Sequence, residues 1–182
     1  MRTIWPLLAL LLWACVPPPV SVEAPVPAAP PAEAPAPVPQ RLASLAVGPA
    51  DRVLVVKGER RLYLLRDGAI LGWMPVALGR DPEGPKQRRG DWRTPEGDYV
   101  LDARNPASQF YRSIHISYPN EADTDRALAA GLDPGGDIHI HGTPDPALLG
   151  RDWTTGCIAV GNDDMDLLWA LVPLGTPITI RP

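Results

Sequence analysis

The stretches that decide the fold of this chain are Asp137-Ile138-His139-Ile140-His141-Gly142 and Thr154-Thr155-Gly156-Cys157-Ile158-Ala159. Polar and apolar residues alternate in the first stretch, and the side chains of a β-strand alternate between its two faces. Asp137, His139 and His141 are therefore predicted to share one face of a strand. The second stretch carries a single thiol directly after a glycine, so the two stretches together predict a β-framework that presents an imidazole and a thiol.

This combination of residue types indicates nucleophilic chemistry. A thiol beside an imidazole can become a thiolate nucleophile, because the imidazole takes its proton. A glycine just before the thiol lets a substrate carbonyl approach backbone N–H groups closely. We therefore predict cysteine-based acyl transfer by Cys157, His141 and Gly156. Without this context, a lone cysteine would be interpreted as a small buried hydrophobic residue.

The flanking sequence predicts a mainly β domain. Short β-type runs separated by turn residues are expected to form strands at 52–57, 61–66, 69–78, 99–103, 113–117 and 178–180. Two helices are predicted near 123–130 and 163–171, the second with Asn162 as its N-cap. The Gly- and Pro-rich segment 79–97 predicts a long exposed loop. The expected fold is a β-sandwich or barrel-like core with one or two packed helices.

The N-terminal quarter has a different composition. Residues 1–15 contain an apolar run too short to span a bilayer, which suits an export signal. Its end, Leu12-Trp13-Ala14-Cys15, resembles a bacterial lipoprotein cleavage box and predicts a lipid on Cys15. An ordinary cleaved signal or a retained N-terminal anchor is the alternative. Residues 16–44 are rich in Pro and Ala, which predicts an extended tether before a catalytic domain at 45–182.

Charge and cysteine content restrict the partners. The formal net charge of −4 argues against a polyanion, and no basic stripe suggests nucleic acid binding. Lys86, Arg88 and Arg89 form only a short cluster, predicted to be a solvated loop. The chain has two cysteines, of which Cys15 is either lipidated or removed, so Cys157 is expected to be a free thiol. We expect an exported protein of the periplasm or cell envelope that contacts the membrane only through its N-terminal anchor.

These motifs resemble those of the L,D-transpeptidase catalytic domain family, which has the YkuD-type fold. The family motif opens with His-Gly or His-Ser and closes with Ser or Thr, a variable residue and Gly-Cys. Here His141-Gly142 opens it and Thr154-Thr155-Gly156-Cys157 closes it, 16 positions from the His to the Cys. Residues 90–99 resemble the family's upstream loop, and residues 175–180 resemble its closing strand. The resemblance covers roughly residues 50 to 182.

The resemblance implies a peptidoglycan L,D-transpeptidase. Cys157 would attack the carbonyl of the third residue of a tetrapeptide stem, terminal D-Ala would leave, and an amine would resolve the thioacyl enzyme. His141 would act as general base and then acid, and the backbone at Gly156 would stabilise the oxyanion. No metal or other cofactor is implied. The candidate substrate-binding residues are His139, Gly142, Thr155, Arg151 and Tyr118.

Two positions depart from the family pattern. Thr155 stands where many members have His, and Ala159 stands where many have Arg. Because a guanidinium can grip a substrate carboxylate, Arg151 or Arg112 is predicted to take over that task.

Three alternatives to transpeptidation stay open. Water as acceptor would give an L,D-carboxypeptidase, or a hydrolase that detaches wall-linked groups. A zinc hydrolase would use His139, His141 and Cys157, with Asp137 or His115 as a fourth ligand. A non-catalytic wall-binding module would keep the fold without the chemistry.

Overall fold

The computed structural model describes residues 48–143 and 145–182. The predicted leader at 1–15, with Cys15, and the predicted tether at 16–44 lie outside the described residues. Eight strands and two α-helices make up the described part of the chain, together with a 3-10 turn at Pro146–Gly150. They are β1 (Arg52–Val56), β2 (Arg61–Arg66), β3 (Ala69–Pro75), β4 (Gly97–Ser108), β5 (Tyr111–Ile116), α1 (Glu121–Ala129), β6 (Ile138–His141), β7 (Ile158–Ala159), α2 (Asn162–Leu171) and β8 (Pro177–Arg181).

All eight strands belong to one mixed sheet with the order β3-β2-β1-β8-β4-β5-β6-β7. The predicted meander is present, since β1, β2 and β3 pair antiparallel in sequence order. Two pairs are parallel: β1 runs alongside β8, and β6 runs alongside β7. The mainly β fold with packed helices is confirmed.

The two edges of this sheet meet, which makes the fold barrel-like. Ala77, just beyond β3, exchanges two main-chain hydrogen bonds with Ala159 of β7, with N···O distances of 2.9 and 2.8 Å. Thr154 donates its N–H to the Leu78 carbonyl, and Arg80 donates its N–H to the Thr154 carbonyl, both at 3.1 Å. We call this pairing of residues 77–80 with residues 154–159 the seam. It satisfies polar groups that an open edge would expose.

The core follows from strand alternation. Every second residue of a strand points inward, so Val53 and Val55 of β1 and Ile114 and Ile116 of β5 are all at most 1% exposed. Helix α2 covers this core with a stripe spaced for one helical face, formed by Met165, Leu168 and Leu171. The core therefore lies inside the curled sheet and under α2.

The two α-helices start in different ways. Helix α1 begins with a capping box, in which the Asn120 side chain accepts the Asp123 N–H and the Asp123 carboxylate accepts the Asn120 N–H. For α2, the prediction that Asn162 is the N-cap is wrong: Gly161 holds that position without a side-chain hydrogen bond. The Asn162 Oδ1 atom is buried against Gly142 instead, so it is not available to cap the helix.

The long loop predicted at 79–97 is anchored by buried lysines. Lys57 of the β1–β2 turn is 2% exposed, and its Nζ donates to Gly84 O at 2.7 Å, Thr94 O at 3.1 Å and Glu96 Oε1 at 2.7 Å. Lys86, predicted to be solvated, is 4% exposed. That prediction was wrong because the Lys86 ammonium has an internal partner, Asp91 Oδ1, at 2.7 Å.

Asp91 organises the inner part of this loop. Burial alone would raise the pKa of its carboxyl, but the Lys86 ammonium and the N–H groups of Gln87, Arg88 and Arg93 all donate to it, and its pKa is lowered overall. The loop is therefore built around an ionised carboxylate.

Among the residues that the structure describes, no helix is long and apolar enough to cross a membrane.

Replacing Lys57 with Met should lower the free energy of unfolding by about 3–5 kcal/mol, because the Glu96 carboxylate, only 15% exposed, loses its cation. Adding Glu96→Gln should restore part of the loss. The matched control is Arg89→Met, whose ion pair with Asp133 is exposed on both sides and should matter little. Urea unfolding followed by circular dichroism measures all three variants. Equal effects of Lys57→Met and Arg89→Met would contradict the anchoring role.

Candidate active site

A cavity of about 680 Å³ opens beside β6. Its wall combines side chains from β6 and its start, from the turn before β7, and from the surrounding segments: Asp137, His139, His141, Thr154, Thr155, Cys157, Arg80, Phe110, Trp153, Asn105, Ser108, Gln109 and Ser113. As the alternation in β6 predicts, Asp137, His139 and His141 all face the same space.

The pairing of β6 with β7 brings the imidazole and the thiol to this cavity. The two strands are parallel neighbours, with His141 opposite Ala159. Cys157 precedes β7, two residues before that pairing position, and its side chain lines the cavity that His141 lines. Strand pairing therefore brings His141 and Cys157, which are 16 positions apart in the sequence, to the same cavity.

The hydrogen bonds of His141 define its tautomer. Its Nδ1 lies 2.8 Å from the carbonyl oxygen of Gly142, and a carbonyl can only accept, so Nδ1 carries the proton and Nε2 is left as an acceptor. The ring stacks on Phe110, with 4.7 Å between centroids, and meets Trp153 edge-to-face at 5.7 Å. Burial lowers the pKa of His141 below its ordinary value of 6.5, opposed by the hydrogen bond to Gly142.

Cys157 is a free thiol in a partly enclosed position. Its Sγ lies 3.7 Å from the carbonyl oxygen of Asp137, within reach of a weak S–H hydrogen bond. Burial raises the pKa of the thiol, while a hydrogen bond from the His139 backbone opposes the rise. Because the pKa of His141 is lowered and that of Cys157 is raised, the arrangement favours a neutral imidazole and a neutral thiol at rest.

Gly156 cannot be replaced without strain. Its φ of 137° belongs to the region that side chains rarely adopt, and a Cβ there would stand 2.8 Å from the Arg93 carbonyl oxygen. Thr154 braces the same turn: its Oγ1 accepts the Gly156 N–H at 3.1 Å and donates to the Cys157 carbonyl at 2.7 Å. The shape of the turn before the thiol is therefore fixed by a glycine and a hydroxyl.

A second polar group extends from the cavity along β6. His139 Nε2 lies 2.8 Å from Asp137 Oδ1, and the His139 ring meets His115 edge-to-face at 5.0 Å. His115 in turn is held by Asp102, 2.6 Å from its Nδ1.

A zinc site needs at least three converging donors. Within residues 48–143 and 145–182, no group of three or more His, Cys, Asp or Glu side chains could hold a metal ion.

Several substrate-binding candidates lie elsewhere. Tyr118 is buried, and its hydroxyl donates to the Pro134 carbonyl at 2.9 Å. Arg151 is exposed and Gly142 is buried against Phe110 and Asn162, and neither lines the cavity. Arg112 forms an ion pair with Asp166 at 2.8 Å. Thr155 and His139, by contrast, do line the cavity.

Phe110 and Arg80 are not among the site residues that the sequence predicts. Phe110 forms the aromatic wall around His141 together with Trp153. Arg80 reaches the cavity because the seam pairs its segment with the Cys157 turn. Its place in a long loop beside the predicted site was the available signal, since such loops often border functional sites.

This chain is similar to known proteins in sequence and in structure. The model of the YkuD family, described as the L,D-transpeptidase catalytic domain, matches residues 50–180. YafK of Escherichia coli K12, a candidate L,D-transpeptidase, is 34% identical over 91 residues, which is 49% of this chain and 32% of YafK. YqjB of Bacillus subtilis, another candidate L,D-transpeptidase, is 29% identical over 134 residues, 70% of this chain and 69% of YqjB.

Among solved structures, the helical cell shape determining protein Pgp2 from Campylobacter jejuni, as its K307A mutant, is 27% identical with a TM-score of 0.55. That match covers 73% of this chain and 47% of Pgp2, so the chain spans about half of Pgp2 and about a third of YafK. The family model, in contrast, covers most of the chain and the whole set of strands that builds the cavity. The chain therefore belongs to the YkuD family of L,D-transpeptidase catalytic domains.

Proposed function

We propose that this chain cleaves the bond between the third residue and the terminal D-Ala of peptidoglycan tetrapeptide stems and transfers the acyl group to an amine. The observation that carries this proposal is a cavity shared by the Cys157 thiol and a neutral His141 whose Nε2 can accept a proton. A nucleophile next to a base is the arrangement that acyl transfer needs.

In the first half-reaction, His141 Nε2 takes the thiol proton as Sγ attacks the carbonyl of the third residue. The oxyanion is stabilised by backbone N–H groups of the Cys157 turn. Since the Gly156 N–H donates to Thr154 Oγ1, we assign the main role to the Cys157 N–H. Collapse breaks the C–N bond, the D-Ala amine takes the proton from His141, and a thioester remains on Cys157.

The second half-reaction repeats these steps with an acceptor amine. Neutral His141 removes a proton from the amine as it attacks the thioester carbonyl, and the Cys157 thiolate leaves and is reprotonated. The aromatic wall of Phe110 and Trp153 supports this cycle, because it keeps the imidazole desolvated and therefore neutral.

Hydrolysis is the second candidate function, because water can resolve the same thioester. The 27% identity to Pgp2, a protein named for determining helical cell shape, supports a role in cell shape with either acceptor. Detachment of wall-linked groups would use the same residues. In each case the substrate is extracytoplasmic, which agrees with the proposed export leader at 1–15, lipidation of Cys15 and tether at 16–44.

Cys157→Ala should abolish turnover of tetrapeptide muropeptides, and His141→Gln should reduce it by about 10²–10⁴-fold, because the base is lost. Products are measured by mass spectrometry, which also separates amine transfer from hydrolysis. Asp125→Asn, on the exposed face of α1, is the control that should stay fully active.

A carbapenem should add its mass to the wild type and not to Cys157→Ala. Turnover that survives in Cys157→Ala and disappears with a chelator would establish a metal mechanism instead.

The pH profile of kcat/KM should have an acid limb with its midpoint below 6.5. Protonation of His141 removes the base, and because burial lowers the pKa of His141, that loss occurs at a lower pH than for an exposed histidine.

Alkylation of Cys157 by iodoacetamide should accelerate only at alkaline pH, since burial raises the pKa of the thiol above its ordinary value of 9.0. Rapid alkylation at pH 6 would show a resting thiolate and contradict the neutral pair.

A further inference from the structure

Arg80 stands out in the cavity by its charge. Among the described residues that line the cavity, it is the one Arg or Lys side chain, and it shares that space with Cys157. Its position is set by the main chain, because its N–H donates to the Thr154 carbonyl, three residues before the nucleophile. The location of Arg80 beside the thiol is therefore a consequence of the seam.

Two contacts orient the Arg80 guanidinium. Its Nε donates to the Trp153 carbonyl at 3.1 Å, and its Cζ lies 5.6 Å from the centroid of the Trp92 ring. Both partners are uncharged, so they hold the group without neutralising it. With Nε engaged, the two Nη atoms have no hydrogen-bond partner among the described residues and remain available to a ligand.

The charge of Arg80 has no counterpart within the described chain. Arg60 pairs with Asp152, Arg93 with Asp81 and Arg112 with Asp166. Arg80 forms no such ion pair with any residue in 48–143 or 145–182. A guanidinium with two free N–H donors matches the geometry of a carboxylate, which accepts both in a bidentate arrangement.

We propose that Arg80 binds the terminal carboxylate of the substrate peptide and so selects stems that end one residue beyond the attacked carbonyl. This inference rests on the proposed function. In a tetrapeptide, the terminal residue follows the attacked carbonyl directly, and successive Cα atoms are about 3.8 Å apart. An anchor for that carboxylate must therefore share the cavity with Cys157, as Arg80 does.

The other arginines considered for this task are placed differently. Ala159, at the position where many members of the family have an arginine, is fully buried, and its N–H and carbonyl both pair with Ala77. Arg112 is engaged by Asp166, and Arg151 does not line the cavity. Arg80 belongs to the segment that pairs with Ala159, so the seam carries a guanidinium to the site from the opposite edge of the sheet.

The test compares a tetrapeptide stem with the same stem ending in D-alaninamide, which changes only the terminal carboxylate. Wild type should prefer the acid by about 10- to 100-fold in kcat/KM, the range for hydrogen bonds to a charged group. Arg80→Gln should remove this preference by losing activity on the acid while keeping it on the amide. Arg80→Lys should retain part of the preference, because it keeps the charge without the two-donor edge.

Arg88→Gln is the matched control, since Arg88 is exposed in the same loop and its side chain does not line the cavity. It should leave the acid preference unchanged. Equal loss of activity on acid and amide in Arg80→Gln would indicate that Arg80 only shapes the turn, and would overturn the proposal. Thermal unfolding of each variant shows whether the fold is preserved.

A binding measurement makes the result independent of turnover. Calorimetry with Cys157→Ala should show tighter binding of the acid than of the amide, and the double variant with Arg80→Gln should show no difference. If wild type turns over neither stem but Cys157→Ala still discriminates, the proposed reaction fails and the role of Arg80 survives. Equal binding of acid and amide, or no binding of either, overturns the role of Arg80.

Discussion

Four main-chain hydrogen bonds across the seam hold the two edges of the sheet together. They join residues 77–80 to residues 154–159, two segments at opposite ends of the strand order. At about 1 kcal/mol net for each bond, their energy is modest, but their position is decisive. They begin and end on either side of Cys157, so the turn that carries the thiol is tied to the opposite edge of the sheet at Thr154 and Ala159.

Electrostatics inside the fold complements this frame. Lys57 and Lys86 are both nearly inaccessible and both end on carboxylates, so the loop between β3 and β4 is anchored by internal charge pairs. That loop supplies the Arg93 carbonyl that faces Gly156. Burial has a different effect on the proposed catalytic pair, because it favours the neutral forms of His141 and Cys157. The cavity thus combines ion pairs in its supporting loop with a neutral imidazole at His141 and a neutral thiol at Cys157.

The sequence predicts those features that follow from local patterning. Alternation in 137–141 predicts both the strand and the shared face of its polar residues, and the Gly-Cys motif predicts the family. Features that depend on how the chain folds back on itself do not follow from local patterning. By its sequence context Asn162 is a typical helix cap, but in the fold its Oδ1 is buried against Gly142. Lys86 is typical of a solvated side chain, but its ammonium pairs with the Asp91 carboxylate. Arg80 has no motif of its own, because its place depends on the pairing of two sheet edges.

The seam is made of N–H and C=O groups, which every residue other than proline provides in the same form. It therefore fixes where residue 80 lies without fixing which side chain stands there. The proposed nucleophile, Cys157, and the proposed recognition group, Arg80, belong to different segments of the chain, which the main-chain hydrogen bonds of the seam join. A substitution at residue 80 would therefore change the group that faces a ligand and leave the backbone geometry around the thiol unchanged.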